Sequence, residues 1–406
     1  METQTVTRKQ VPLLDLKRQY KQIGDQLEKN VLSVLRSGNY ILGEWVNRLE
    51  TSVADICGTR HGVAVANGTD ALILALWALN IGPDDEVITP AFTFAATAEA
   101  IALRGAKVVF VDVDPITFNM DPAKLEAAVT DRTAAIIPVH LYGQPADMGP
   151  IMHVARKHNL RVIEDNAQAI GATYRGRPTG SFGDLACISF YPTKNLGAAG
   201  DAGMVVTSND AIAERLRRLR AHGSHKRYYH DELGVNSRLD EVQAAVLMSK
   251  VEHLADWNLK RNDAANLYLR LLKHCPSVVA PNVMPHSTHV WHQFTVRLIN
   301  NPNNPGAELL RDVVARQLTE RGIGNMIYYP VPLHQQEAFR SADYKTGDFP
   351  ISEQLAKEVL SLPMYPEITQ NEVQTVVHAL TEALTSEVPS LVPVSAVTSK
   401  KSAKEK

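Results

Sequence analysis

The sequence predicts an α/β protein with a mostly parallel sheet, followed by a smaller α+β portion. Short β-branched runs alternate with helical stretches between residues 86 and 207, the signature of βαβ units. After about Ser208 that alternation gives way to long helices. The length of 406 residues allows roughly two or three folding units around a large core. Right-handed crossovers in such a sheet place ligands at the carboxyl ends of the strands.

The first ten residues, METQTVTRKQ, are polar and read as a flexible end. From Asp15 to Arg36, Leu16, Tyr20, Ile23, Leu27, Val31, Val34 and Leu35 recur at helical spacing. SGNYILG (37–43) breaks that helix with two glycines, and a second runs from Glu44 to about Cys57. Strands are expected at EVIT (86–89), KVVFV (107–111), AAIIPV (134–139), RVIE (161–164), ACISF (186–190) and MVVT (204–207). Between several of them lie helices at 71–79, 95–103, 122–129 and 148–158. Helices dominate 211–272, where NSRLDEVQAAVLMSKVEHL is strongly periodic. The α+β portion spans roughly 278–382, with a strand at HQFTVRL (292–298) and helices near 306–321 and 371–385. The tail from Ser386 has no helical stripe, ends in lysines and reads as disordered.

Composition narrows the function by exclusion. There are 42 basic and 44 acidic side chains, a net charge of −2, so no broad phosphate-binding surface is indicated and nucleic acid is not an expected partner. Three widely spaced cysteines, Cys57, Cys187 and Cys275, form neither a disulfide framework nor a CxxC zinc site. The first residues lack the apolar stretch of a signal peptide, and no run has the length of a membrane span. The expected setting is the cytoplasm.

Three short stretches carry chemistry. RVIEDNAQAIGA places Asp165 at the exit of an apolar strand. A buried carboxylate there needs a positive partner or a donor, and a protonated ring nitrogen would serve. Taken alone, Asp165 reads as well as a helix N-cap or half of a structural ion pair. In ISFYPTKNLGAAGDAG, Lys194 lies five residues after Ser189 on a proline-bearing turn, followed by Gly197, Gly200 and Gly203. A partly desolvated lysine has a lowered pKa and a free amine able to form a Schiff base with an aldehyde cofactor, whereas a lone lysine is ordinarily a solvated surface charge. In VANGTDALILAL, a glycine–threonine turn opens a helix whose first amides and the Thr69 hydroxyl suit a phosphate; a plain cap by Thr69 is the other reading.

Taken in order, GTDAL, TPAFTFAATA, VHLYGQPADM, EDNAQAIGA, SFYPTKNLGAAGDAG and GVNSRLDEVQAA resemble the sugar aminotransferases of the DegT/DnrJ/EryC1/StrS family, over about residues 11–385. The resemblance implies a fold-type I aminotransferase, a three-layer αβα arrangement with a mostly parallel mixed sheet plus a smaller C-terminal α+β domain. It implies a flexible N-terminus at 1–10, an N-terminal arm and large cofactor-binding domain at 11–255, a small domain at 256–385 and a disordered tail at 386–406. The implied cofactor is pyridoxal 5′-phosphate. Lys194 would be its Schiff-base lysine and proton shuttle, and Asp165 would keep the pyridine nitrogen protonated. Gln168 would lie near the 3-hydroxyl, Phe94 would stack on the ring, and Gly68, Thr69 and Ser189 would hold the phosphate. Asn236 would reach that phosphate from a second subunit, which implies a homodimer with shared active sites. The loop reads GDAG where the family often has GDGG, a difference of one methyl at Ala202 that matters only if the backbone there needs a positive φ.

The implied reaction is a ping-pong transamination from an amino donor, expected to be glutamate, to a keto sugar carried on a nucleoside diphosphate. HGSHKRYYHDELGVNSRLD and YYPVPLHQQEAF look more like the 3-keto branch than the 4-keto branch. Tyr229, His230, Arg238, Tyr328 and His334 are the substrate candidates, with Trp291 and His292 behind them; each could equally make a structural hydrogen bond. The alternatives are a 4-keto-sugar or cyclitol aminotransferase, or a non-catalytic regulatory protein on the same scaffold. Relatives that deoxygenate sugars carry histidine at the Schiff-base position, and Lys194 speaks against that chemistry. HSTHVWH (286–292) and the set His222, His225 and His230 lack an accompanying HExxH or carboxylate pairing and read as substrate-loop or structural residues, with no metal expected.

Overall fold

A computed structural model of the protein describes residues 10–275, 277–300 and 308–387. The flexible end expected at 1–10 and the tail expected at 386–406 therefore lie almost wholly outside the described residues. Helix α1 (Leu16–Ser37) starts where the Asp15 carboxylate accepts from the amides of Lys17 and Arg18, and stops at Gly38, whose φ is +70°. Helix α2 (Glu44–Ile56) has no cap of its own. The Glu241 carboxylate, nearly two hundred residues downstream, accepts from the amides of Gly43, Trp45 and Val46 at 2.8, 3.0 and 2.9 Å.

The next elements are β1 (His61–Val65), α3 (Gly68–Ala78), β2 (Glu86–Pro90), α4 (Ala96–Leu103), β3 (Lys107–Val111), α5 (Leu125–Ala128), β4 (Thr133–Ile136), α6 (Met148–Lys157) and β5 (Arg161–Asp165). A short ribbon of β6 (Thr173–Tyr174) and β7 (Arg177–Pro178) precedes β8 (Leu185–Ser189) and β9 (Gly203–Thr207). Then come α7 (Asp210–Leu219), a second ribbon of β10 (Ser224–Lys226) and β11 (Tyr229–His230), α8 (Glu241–Val251) and α9 (Leu254–Leu272). Seven strands form one sheet in the order β1-β9-β8-β5-β4-β2-β3. Only β9 opposes the rest: it pairs antiparallel with both β1 and β8, whereas the other neighbours are parallel.

Strand periodicity makes this a three-layer unit. Val63, Val65, Ile163, Cys187 and Val205 point to a cluster with Leu72, Ala75, Ile101 and Leu216 from α3, α4 and α7. Their alternates Ala64, Ile188, Met204 and Val206 face Val46, Leu49, Val53 and Leu247 from α2 and α8. On that second face, Ile88, Ile136 and Val162 meet Ile151 and Val154 of α6.

The C-terminal portion has an antiparallel sheet of β12 (Val278–Val279), β13 (Phe294–Leu298) and β14 (Val359–Leu362). Around it pack α10 (Leu310–Glu320), α11 (Pro350–Glu358) and α12 (Gln370–Glu387). Helix α9 joins the two parts, with Leu254 in the α2/α8 cluster and Ala264, Tyr268 and Leu272 in the C-terminal core. Val11, grouped by sequence with the large domain, packs in that C-terminal core and bridges to Ile323.

The predicted elements differ from the observed ones in a few places. The run AAIIPV is a regular strand only to Ile136; beyond it Ile137 N still donates to the Ile88 carbonyl oxygen at 2.8 Å and Val139 bridges to Asp165, with Pro138, which has no amide to donate, between them. The segment NSRLD is a loop rather than part of a helix, and the β10/β11 ribbon interrupts the expected helical region. Strand β1 was not anticipated because Gly62 weakens its pattern. That glycine admits α2, since a Cβ there would lie 2.4 Å from the Glu50 carbonyl oxygen.

The buried Arg220 ties α7 to α2 and β1. It donates to Glu50 Oε1 at 2.5 Å and to the Ala64 carbonyl oxygen at 2.7 Å, while Glu50 Oε1 also accepts from the Ala64 amide. Arg220→Ala strands a buried carboxylate and is expected to cost about 3–5 kcal/mol. A denaturant midpoint unchanged from wild type would show that water replaces the guanidinium there.

Candidate active site

The carboxyl ends of the parallel strands open into a cavity of about 780 Å3 between the sheet and the C-terminal part. Asp165 is the last residue of β5 and only 6 % exposed. Its Oδ2 accepts from the Thr97 hydroxyl at 2.7 Å and its Oδ1 from the Ala167 amide at 3.1 Å. No α-helix starts beyond it, and among the described residues no cation pairs with it. Neither structural alternative, helix cap or ion pair, describes this aspartate.

Lys194 belongs to the return loop between β8 and the antiparallel β9. Backbone bonds close the loop: Phe190 N to Ala202 O, Ala198 N to Phe190 O and Lys194 N to Tyr191 O, at 2.9, 2.8 and 2.8 Å. A Cβ at Gly197 would sit 2.4 Å from the Pro192 carbonyl oxygen, so this turn requires glycine. Helix α8 pins the loop from behind. The buried Lys250 ammonium donates to the Gly197 carbonyl oxygen at 2.6 Å, and Gln243 Oε1 accepts from the Ala199 amide at 2.9 Å. Ala202 is buried and lies outside the left-handed region, so its extra methyl is accommodated without strain. The Lys194 amine lines the cavity, and desolvation pushes its pKa down to about 8 against the opposing pull of Asp165.

The start of α3 forms the third side. Asn67, not Thr69, is the cap: its side chain accepts from the Asp70 amide at 2.8 Å, leaving Thr69 at the cavity wall. A Cβ on Gly68 would meet Ser189 Cβ at 2.7 Å, so only glycine lets the helix start approach the end of β8. Gly68, Thr69 and Ser189 thus converge where helix amides favour an anion. Opposite them, Phe94 is 56 % exposed, and its ring centroid lies 6.0 Å from that of Tyr329. Phe94 is therefore a wall of the cavity and not core. Gln168 joins the two parts of the chain: its Oε1 accepts from the Tyr142 amide at 2.7 Å and its Nε2 donates to the Tyr329 hydroxyl at 3.2 Å. Tyr328 and Tyr191 also line the cavity.

The cavity thus gathers Gly68, Thr69, Phe94, Asp165, Gln168, Ser189, Lys194 and Tyr328. The other sequence candidates lie elsewhere in the single chain. Asn236 is exposed and bridges to Ala221, while its neighbour Ser237 donates to Asp70 at 2.6 Å. Tyr229 and His230 are exposed on the β10/β11 ribbon. Arg238 is half-buried, with its Nε lacking a partner among the described residues. His334 is buried against Phe349, with Nε2 3.1 Å from Glu353, and does not line the cavity. The three histidines of HSTHVWH diverge: His286 is exposed, His289 stacks on the buried Trp291 at 3.8 Å, and His292 enters the cavity wall.

Sequence reasoning missed Thr97, Tyr329, Gln243 and Lys250. Thr97 follows Phe94 by three residues in the same motif, so helical spacing was the available signal for it; Gln243 and Lys250 share one face of α8, and nothing in the sequence ties that face to the lysine loop. A poised amine, a buried carboxylate and an anion-binding helix start suit a carbonyl compound with a flat ring and an anionic group.

A model of the DegT/DnrJ/EryC1/StrS aminotransferase family matches residues 21–381. A Geobacillus stearothermophilus protein named as a pleiotropic regulatory protein is 50% identical over 92% of this chain and 98% of its own length. A UDP-N-acetyl-3-dehydro-α-D-glucosamine 3-aminotransferase of Acidithiobacillus ferrooxidans is 48% identical, again over 92% of this chain and 98% of its own. Among solved structures, S. venezuelae DesV in complex with a ketimine intermediate superposes with a TM-score of 0.87 at 43% identity, covering 92% of this chain and 98% of that one.

Proposed function

Because the chain belongs to the DegT/DnrJ/EryC1/StrS aminotransferase family, we propose that it transfers an amino group from glutamate to a nucleotide-linked 3-keto sugar. The broader activity, pyridoxal-phosphate-dependent sugar amination, is that of the family. The residues present fit the cofactor. Lys194 offers a desolvated amine, Asp165 a buried carboxylate with no paired cation among the described residues, and Gly68, Thr69 and Ser189 a cradle that a side chain at residue 68 would fill.

When bound, the cofactor supplies an aldehyde and an electron-withdrawing ring that stabilises negative charge on the carbon losing a proton. Asp165, oriented by Thr97 and Ala167, holds the proton on the ring nitrogen. Phe94, exposed on the cavity wall, would offer its face to the ring, and Gln168 holds the hydroxyl of the neighbouring wall residue Tyr329. Lys194 takes the proton from the amino-acid α-carbon, and later delivers one to the sugar carbon that receives the amine. That two-way role needs an amine whose pKa lies near neutrality, which burial supplies.

Five assigned residues lie outside the cavity of their own chain, and four of them, Asn236, Arg238, Tyr229 and His230, fall on one stretch from the β10/β11 ribbon to α8. We assign these four to the cavity of a second copy in a homodimer. His334 keeps only an indirect role, supporting the segment after Tyr328 and Tyr329 through Glu353. No helix among the described residues is long and apolar enough to cross a membrane, and we place the reaction in the cytoplasm.

The desolvated Lys194 amine beside Asp165 carries the transamination reading, and the similarity to a 3-dehydro-sugar aminotransferase supports the C3 position. Incubation with glutamate and a panel of nucleotide-linked 3-keto and 4-keto sugars, with the product read by NMR, tests both. Amination at C3 is expected; turnover confined to 4-keto sugars would overturn the regiochemistry.

The lysine also sets a pH dependence. Only its deprotonated form attacks an aldehyde, so capture of pyridoxal phosphate by cofactor-free protein should accelerate as pH rises through about 8 and then level. Stopped-flow absorbance between pH 6 and 9.5 reads it (~3.5 units spanning the transition), and a rate still climbing without a plateau at pH 9.5 would refute the lowered pKa.

A further inference from the structure

Beside Lys194 lies a polar network that the reaction as described does not use. Asn195 is 4 % exposed and His292 6 % exposed. The Asn195 Nδ2 group donates to the Val290 carbonyl oxygen at 2.8 Å and to Asn258 Oδ1 at 2.9 Å. Asn258 is itself oriented, because its Nδ2 donates to the Ile170 carbonyl oxygen at 3.3 Å. Two acceptors on one side fix which end of the Asn195 amide is nitrogen, the backbone carbonyl being unambiguous. The remaining end, Oδ1, faces His292 Nδ1 at 3.3 Å. Since Oδ1 can only accept, Nδ1 must carry the ring proton.

A second anchor holds the segment from behind, where the buried Arg261 donates to the Trp291 carbonyl oxygen at 3.2 Å and to that of Met364 at 3.0 Å. Burial, with the positive charges of Lys194 and Arg261, keeps the His292 ring neutral by holding its pKa well below the usual histidine value. Its Nε2 is then a bare lone pair. It has no hydrogen-bond partner among the described residues, and it is not sealed in the core, because His292 is part of the cavity wall.

We infer that Asn195 locks His292 in the Nδ1–H tautomer, so that His292 Nε2 accepts a hydrogen bond from a hydroxyl of the acceptor sugar. The choice of ligand follows from donor chemistry. A fixed lone pair rewards an O–H donor, and a pyranose carries several. The carboxylates of an amino-acid donor only accept, and face a lone pair unfavourably. His292 would therefore act in the sugar half of the reaction, with Asn195 as its positioning residue. The sugar part of this inference rests on the function proposed above; the tautomer does not.

The test has two arms. In cofactor-free wild-type protein labelled with 15N-histidine, the His292 signals, identified by their absence in His292→Asn, should show a protonated Nδ1 and an unprotonated Nε2. Asn195→Ala should lose that preference. An Nε2–H tautomer in the wild type would overturn the inference without reference to activity. In the second arm, the two half-reactions are timed separately in single turnovers. His292→Asn and His292→Phe should slow transfer to the keto sugar roughly tenfold more than they slow removal of the amino group from glutamate, the effect of one lost hydrogen bond. Equal slowing of both half-reactions would place His292 against the cofactor or Lys194 instead. If wild-type protein aminated no sugar, the proposed function would fail and take the sugar contact with it, while the tautomer result would stand.

Discussion

Lys194→Ala abolishes turnover, with a loss of at least about ten-thousand-fold, because one side chain supplies both the covalent anchor and the shuttled proton. The visible band that pyridoxal phosphate acquires on joining a protein amine should vanish in the same variant. The loop itself should survive, because its closure depends on Phe190, Ala198 and Ala202 backbone bonds and on the Lys250 and Gln243 clamps, none of which uses the Lys194 side chain. A near-wild-type melting temperature together with lost absorbance is therefore the expected pair of readings. If the band persists and turnover stays within tenfold of wild type, Lys194 is not the attachment point. That outcome would revive the reading of the chain as a regulatory protein, which the name of its Geobacillus relative keeps relevant.

Asp165→Asn has the second largest effect, a loss of about a thousand-fold in turnover at little cost in stability. The substitution is isosteric, and the carboxamide oxygen can still accept from Thr97 or Ala167. It removes the negative charge that holds a proton on the ring nitrogen. The same charge raises the Lys194 pKa against desolvation. Without it the lysine should titrate below about 8, and the pH at which the cofactor-free variant captures pyridoxal phosphate should fall. A variant with lower turnover but an unmoved capture profile would mean that Asp165 acts on the cofactor alone. Full activity would remove it from the mechanism.

The site was legible wherever function is encoded in contiguous residues. Asp165 at a strand exit, Lys194 in a glycine-bearing loop and the turn at Gly68 all announce themselves locally, and each lines the cavity. The αβα core was legible for the same reason, since a period of two along the strands needs no long-range information. What was not legible depends on distant pairings. Nothing near Glu241 shows that it caps α2, nor does the sequence around Val11 place it in the C-terminal core. His334 was singled out by its motif, yet a carboxylate nineteen residues on claims its ring. Thr69 looked like a cap because threonine often is one; Asn67 occupies that role by lying one position earlier than the helix start. The residues on the β10/β11 ribbon and Asn236 do not line the cavity of their own chain, so their reading rests on a second copy.

The lone antiparallel strand also has a consequence for how the molecule assembles. Because β9 turns back beside β8, the bond from Phe190 to Ala202 that encloses the lysine loop joins residues only a dozen apart. The link from Gln168 to Tyr329 spans 161 residues. The chain entropy of closing the longer span is greater by about 2 kcal/mol. On refolding, the nucleophile's hairpin is expected to close first as a local event and the tyrosine wall to follow when the C-terminal portion docks, an order that pulsed hydrogen exchange would read. The amine is then expected to be positioned before the surface that chooses what it meets, while the desolvation that makes it reactive is complete only once that surface has docked.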